Sequence, residues 1–345
     1  MSTPLSSGVA APAVVARAAA AWRVLRHRDL APPHFRWVAG LTVWALGFII
    51  VTGSLVRLTG SGLGCSDWPT CTATRVVAPW QFHAWMEFGN RLVTGLVTVA
   101  VVLAVSGALV RRTRRRDLTA LSLGLVGGLV AEIVLGGVTV RHHLAPGFVT
   151  AHFLLAVAFL ADAVVLHHRA GLPEQPHPSR PGRSVVTGPA VALVAPVTRR
   201  LGWLLVGLAA LVVVLGTVVT STGPHAGAPD VARYHLSLHR VAQLHGTSVE
   251  VFLAATVVTL WLLTRAGAPA PVVRRAQQLL VVTVAQGTIG YVQYLTGVPA
   301  ALVALHELGA SALVVVVLRF ALGTSARPEP GSRCAQVPPA ALVAV

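Results

Sequence analysis

Three histidines stand in long apolar segments of this chain, His152, His245 and His306, the first and last at matching places. His152 and His306 close two stretches that align without a gap, VAEIVLGGVTVRHHLAPGFVTAH from Val130 and VAQGTIGYVQYLTGVPAALVALH from Val284. Ala131 and Ala285, Gly136 and Gly290, Val138 and Val292, and the two histidines are each 154 residues apart. A neutral imidazole nitrogen is a common metal ligand, and two of them on facing helices of a bundle can hold a haem iron from both sides. His245 and His306 come from alternate helices and form such a pair. Gly136, Gly137 and Gly290 would let a flat macrocycle approach the backbone. For a single intramembrane histidine the alternative is a hydrogen bond to a neighbouring helix, and for the glycines it is helix packing alone.

The N-terminal counterpart of His245 is Asn90, at an offset of 155. That half therefore offers His152 with Asn90 in the second position. Glu87, Asn90, Arg91 and Thr94 fall at i, i+3, i+4 and i+7 and share one helical face. A carboxylate and a guanidinium at membrane depth are costly and ordinarily face a bundle interior or a cofactor. Arg57, Arg91 and Arg141 stand at helix ends. There a guanidinium can bind haem propionates in bidentate fashion or snorkel to the interface. Glu132, aligned with Gln286, could accept a proton, orient a ligand or bond a neighbouring helix. Asp162, Glu250 and Glu307 lie off the faces of the adjacent histidines and have weaker cases.

Such residues need helices to position them. With 345 residues, 54% of them hydrophobic, and a mean hydropathy of +0.72, the chain is not a soluble domain. Apolar runs of roughly the twenty residues that a bilayer core requires recur near 37–57, 81–110, 118–140, 148–168, 201–222, 237–264, 276–296 and 301–322. The matched hairpins, together with Gly53, Thr59 and Gly60 matching Gly216, Thr222 and Gly223 at an offset of 163, extend the repeat over the whole chain. The fold class is therefore all-α and membrane-embedded. Eight transmembrane helices form two repeated four-helix bundles, related by a pseudo-two-fold axis along the membrane normal.

The net charge of +16 would suit nucleic acid, but its distribution excludes that reading. Arginines gather at Arg23–Arg36, Arg111–Arg116, Arg169–Arg200, Arg265–Arg275 and Arg319–Arg333, which are every second connection and both tails. The positive-inside rule then puts both termini in the cytoplasm. The expected divisions are a cytoplasmic arm over 1–36, an N-terminal four-helix half over 37–168, and a Pro-, Arg- and Gly-rich cytoplasmic linker over 169–200. A C-terminal four-helix half over 201–322 and a cytoplasmic tail over 323–345 complete the chain. Cys65 and Cys71 share the first outer loop, in an oxidising compartment, and can form a disulfide. Cys334, in the tail, reads as a free thiol.

The loop string TGSGLGCSDWPTC (Thr59–Cys71), the helix start WMEFGNRL (Trp85–Leu92), the hairpins ending in TAH and ALH, and the eight-helix repeat resemble haem A synthase. The resemblance runs from about residue 37 to 322. It implies a cell-membrane enzyme that oxidises the C8 methyl of haem O to a formyl group, giving haem A for terminal oxidases. It implies a resident haem b between His245 and His306, with the N-terminal half as catalytic site. There the family's essential glutamate maps onto Glu87 and a histidine onto His152, with Asn90 and Arg91 beside the substrate haem. Partners that follow are an upstream haem O synthase, an electron donor not identified by the sequence, membrane lipid, and further copies of the chain. Nucleic acid is not among them.

Two departures stand out. Many members carry a second histidine three residues after the glutamate, where this chain has Asn90, so one face of a substrate iron held by His152 would be open or weakly held. Some members also have a cysteine pair in the matching C-terminal loop, which here reads STGPHAGAPD (Ser221–Asp230). Two other functions fit the same helices. One is a b-type cytochrome confined to electron transfer; the other is a parallel-repeat transporter using the histidines as a proton or substrate path.

Overall fold

In the computed structural model, residues 30–327 are described. Most of the expected N-terminal arm, including Arg23, Arg26 and Arg28, and most of the tail, including Cys334, lie outside them. Among the described residues eight helices follow one another: α1 (Pro32–Leu58), α2 (Phe82–Val110), α3 (Arg116–Arg141), α4 (Pro146–Ala170), α5 (Pro196–Thr222), α6 (Leu238–Arg265), α7 (Ala270–Leu295) and α8 (Ala300–Leu322). Each covers one of the expected apolar runs. Prolines in the first turn of α1, α4, α5 and α7 start the helix where their missing N–H costs nothing. Because of this, α1 begins inside the segment expected to be an arm.

From 23 residues in α8 to 29 in α2, the helices are long; at 1.5 Å per residue they extend about 35–44 Å, enough to cross a bilayer. Seven of the eight are apolar enough to span. The exception is α7, whose composition is diluted by Arg274, Arg275, Gln277, Gln278 and Gln286. The protein is a multi-pass membrane protein.

Helices α1 to α4 pack in a ring, each on the next and α4 back on α1, and α5 to α8 do the same. The two rings meet where α1 and α4 touch α8 and where α4 touches α5. In the first ring the α2–α3 seam is the least closely packed, and in the second the α6–α7 and α5–α8 seams share that place. Phe35, Leu46, Leu160, Leu205, Phe252 and Phe320 are buried between helices, whereas Trp37, Trp44, Val99 and Val281 face outward. Small residues let large ones approach: a Cβ on Gly128 would stand 2.8 Å from the Phe159 ring.

The histidine-bearing helix starts lie at one end of the rings, and most of the arginines lie at the other. At the arginine end the expected linker is folded. The helices encroach on it, α4 running to Ala170 and α5 starting at Pro196, and the rest forms β1 (Glu174–Pro176) paired antiparallel with β2 (Ser184–Val186). Further on, β3 (Val191–Ala192) pairs with β4 (Ser325–Ala326), which follows α8. The physical reason is Glu174. Its carboxylate accepts from Arg111 (2.7 Å), Thr113 (2.9 Å) and Ser184 (3.0 Å) and lies 3.9 Å from Arg115. Both arginine side chains are only 1% exposed and need buried counter-charges; Asp117 of α3 pairs with Arg115 at 2.6 Å, and the linker supplies Glu174 to Arg111.

Removing that counter-charge leaves the buried Arg111 guanidinium short of a partner, whereas Arg115 keeps Asp117. Glu174→Gln should destabilise the protein by about 3 kcal/mol, read as a lowered thermal midpoint in detergent. An unchanged midpoint would show that the arginines do not depend on Glu174.

Candidate functional site

A cavity of about 550 Å³ lies inside the second ring, lined by α5, α6, α7 and α8 with contributions from α1 and α4. His245 of α6 and His306 of α8 both line it. Their ring centroids are 6.3 Å apart and their planes are 82° apart. Two metal–nitrogen bonds of roughly 2 Å, plus about 1 Å from each nitrogen to its ring centre, separate two imidazoles by about 6 Å across one metal ion. The spacing fits one iron between the rings. Nδ1 of each ring is buried; it lies near a helix carbonyl, that of Val212 for His245 and of Gln286 for His306, short of good hydrogen-bond geometry. Nε2 is therefore the nitrogen left to the cavity. Among the described residues no cluster of three His, Cys, Asp or Glu stands ready for a bare metal ion. A macrocycle that brings four nitrogens of its own needs only this pair, and the cavity volume is in the range of roughly 300–1,000 Å³ common for small-molecule sites.

The glycines explain how the rings are seated. A Cβ on Gly216 would stand 3.3 Å from Cε1 of His245, and one on Gly290 would stand 3.2 Å from Cε1 of His306. In the first ring a Cβ on Gly136 would stand 3.3 Å from Cε1 of His152, and one on Gly53 would stand 3.8 Å from the Asn90 amide. Each odd-numbered helix thus gives up a side chain where the next helix presents its polar group. Gly136 and Gly290 were expected to face a macrocycle; they face the imidazoles instead. Gly137, also expected to do so, is covered by the ring of Trp68.

In the first ring, Nδ1 of His152 is 3.0 Å from Oε2 of Glu132. Asn90 is joined to Thr52 of α1 at 2.7 Å. Glu87 and Arg91 turn away from Asn90 towards the loop between α1 and α2. Glu87 is buried, its Oε2 accepts from the Cys65 N–H at 2.7 Å, and its Oε1 accepts from Arg91. Arg91 also donates to the carbonyls of Asp67 (3.0 Å), Pro69 (3.3 Å) and Thr70 (2.9 Å). Cys65 and Cys71 are disulfide-bonded and buried inside this loop. The four residues that shared a helical face on paper are therefore divided between two tasks.

Arg57, at the end of α1, lines the second ring's cavity rather than the first ring. It donates to the His225 carbonyl at 2.6 Å and pairs with Glu307. Arg141 is exposed at the end of α3. Glu307, given little weight from its helical face, is buried beside His306 and lines the cavity. Thr52 and Trp68 carried no signal in the sequence reading beyond their places in apolar or motif segments. Gly53 and Gly216 did carry one, since they match at the constant offset.

The sequence model of the COX15-CtaA family, described as cytochrome oxidase assembly protein, matches residues 76–318. A haem A synthase of Geobacillus kaustophilus is 37% identical over 79 residues, 23% of this chain and 24% of the relative. One of Geobacillus thermodenitrificans is 33% identical over 67 residues, 19% of this chain and 20% of the relative. Over those matches the chain spans only about a quarter and a fifth of the relatives' lengths. A haem A synthase of Bradyrhizobium sp. (strain ORS 278) is 26% identical over 366 aligned positions, 90% of this chain and 98% of the relative.

The disulfide is buried beneath the clamp of Glu87 and Arg91. Alkylation of the intact protein should leave Cys65 and Cys71 unmodified until a reductant is added under denaturing conditions, as read by peptide mass. Labelling of either residue before reduction would contradict the bond.

Proposed function

The chain belongs to the COX15-CtaA family of cytochrome oxidase assembly proteins, and from that membership we propose that it is a haem A synthase of the cell membrane. Its substrate is haem O, its product is haem A for terminal oxidases, and the reaction oxidises the C8 methyl to a formyl group. The observation that carries the reading is the pair His245 and His306, facing each other at 6.3 Å across the cavity of the second ring.

In this reading the two rings are repeats about an axis along the membrane normal, with residues 37–168 as the catalytic half and 201–322 as the half that holds haem b. The arginine end, with both termini, lies in the cytoplasm, as the charge distribution supports. Residues 169–200 connect the halves there. His245 and His306 would hold a haem b through their Nε2 atoms, and that group would supply one-electron transfer. Arg57, already at that cavity, can accept a propionate alongside Glu307. The electron donor docks from outside this chain, haem O arrives from the synthase that makes it, and association of several copies is compatible with the exposed apolar faces.

In the catalytic half His152 holds the substrate iron, its Nδ1 steadied by Glu132 as carboxylates commonly orient ligating imidazoles. Asn90 stands opposite as a hydrogen-bonding group and not as an obligatory ligand. Arg91 serves the site through the loop it grips, and Arg141 is the candidate for a substrate propionate. Glu87 is the proton carrier. Each of its oxygens has one donor in the resting arrangement, which leaves acceptor positions for a proton released as the methyl is oxidised.

Two measurements test this. His245→Ala or His306→Ala should remove the low-spin haem b spectrum, and an unaltered spectrum in both would dismiss the axial pair. Glu87→Gln should keep haem b yet cut haem A output by on the order of a hundredfold, accumulating haem O or a hydroxylated haem, whereas Asn90→Ala should still make haem A. Normal output from Glu87→Gln removes the carboxylate from the chemistry, and complete loss of substrate haem in Asn90→Ala makes that residue a required contact.

A further inference from the structure

The two rings also differ at the place after the glycine that faces the histidine. In α7 the residue after Gly290 is Tyr291, which lines the cavity, is exposed, and donates to Glu250 of α6 at 2.7 Å. One turn on, Tyr294 meets His239 of α6 at 2.9 Å. His239, Gln243, Thr247 and Glu250 line the cavity along one stripe of α6 and are themselves exposed. The cavity therefore opens sideways, through the loosely packed α6–α7 seam, and two tyrosines of α7 close it.

In α3 the residue after Gly136 is Gly137, which has no side chain to close the corresponding α2–α3 seam. The indole of Trp68 takes that place. A Cβ on Gly137 would stand 2.7, 2.8 and 2.9 Å from Cδ2, Cε2 and Cε3 of the ring, and Gly137 is buried under it. The indole comes from a loop and not from a helix. That loop is pinned to α2 on both sides of Trp68, since Arg91 holds the carbonyls of Asp67, Pro69 and Thr70, and Glu87 holds the Cys65 N–H.

We propose that Trp68 closes the α2–α3 side of the substrate haem site, and that Glu87 and Arg91 are the pair that position it. The inference rests on the reading of the first ring as the haem O site. The physical logic is turnover. A substrate site must admit and release a macrocycle each cycle, while a resident cofactor stays. An aromatic wall on a loop can swing without displacing a helix, as closing loops do. A wall built into a helix, such as Tyr291, cannot. The indole face also offers offset stacking to the edge of a flat ring system.

The test loads purified protein with haem O in detergent and follows transfer of the haem to apomyoglobin by absorbance, with His152→Ala identifying the haem held by the first ring. Trp68→Ala should release the His152-dependent haem on the order of tenfold faster than the parent, Trp68→Phe should stay close to the parent, and haem b should be unaffected in both. Gly137→Ala, whose methyl displaces the indole while leaving Trp68 in the chain, should also speed release; it decides the matter if Trp68→Ala disturbs the disulfide loop. Equal release from the parent and from Gly137→Ala, with haem b intact and Cys65 oxidised to Cys71, would overturn the proposal. A parent protein with no His152-dependent haem would instead overturn the substrate-site reading, and this inference with it.

Discussion

A planar polar ring between two membrane helices is the constraint on which this structure turns. Water cannot satisfy it there, and the helices cannot part without exposing their backbones to lipid. The chain meets the constraint by deleting the opposing side chain. Gly53, Gly136, Gly216 and Gly290 each leave a space on an odd-numbered helix, filled by Asn90, His152, His245 and His306 respectively. The contact is close for the three imidazoles and looser for the shorter amide. Any larger residue at the three tight positions would force the imidazole or the helix to move. Nδ1 of His245 and of His306 is buried, and Nδ1 of His152 lies 3.0 Å from the Glu132 carboxylate.

A second constraint links the rings. Arg57 of α1 reaches across to Glu307 on α8, next to His306, and to the carbonyl of His225 in the loop before α6. Nearby, the Gly62 N–H donates to the Gly227 carbonyl at 2.9 Å, and Thr150 and Ser221 meet at 3.2 Å. The pair is largely buried, so losing either partner leaves a charge poorly compensated. The loop that carries the disulfide is thereby tied both to its own ring, through Glu87 and Arg91, and to the loop of the other.

The arginine end follows the same rule with different parts. Arg111 and Arg115 are buried at the α2–α3 turn, and the strand pair β1–β2 exists where Glu174 has to be delivered to them. A segment rich in proline and arginine reads as a spacer, yet one carboxylate in it gives the segment a docking point. Charge that fixes topology in the sequence also fixes tertiary structure once two guanidiniums are taken out of water.

The sequence by itself determined the eight apolar helices and the places of the histidines and glycines along them, but not that each glycine stands opposite an imidazole. Helix length and hydropathy are local properties of a chain in lipid, and two stretches that align without a gap carry a histidine and a glycine at the same offset. The pair His245 and His306 was legible for that reason, and so was the bond between Cys65 and Cys71, six residues apart in one loop. Only the tertiary structure decided that Arg57 serves the second ring, that Glu307 is its partner, that Glu87 and Arg91 grip a loop while Asn90 turns to Thr52, and that Trp68 lies on Gly137. Periodicity assigns a residue to a helix face to within about 100° per position, but not to a neighbour. Which helix or loop stands opposite depends on how eight helices close into rings, and the contacts that decide it join residues far apart in the chain.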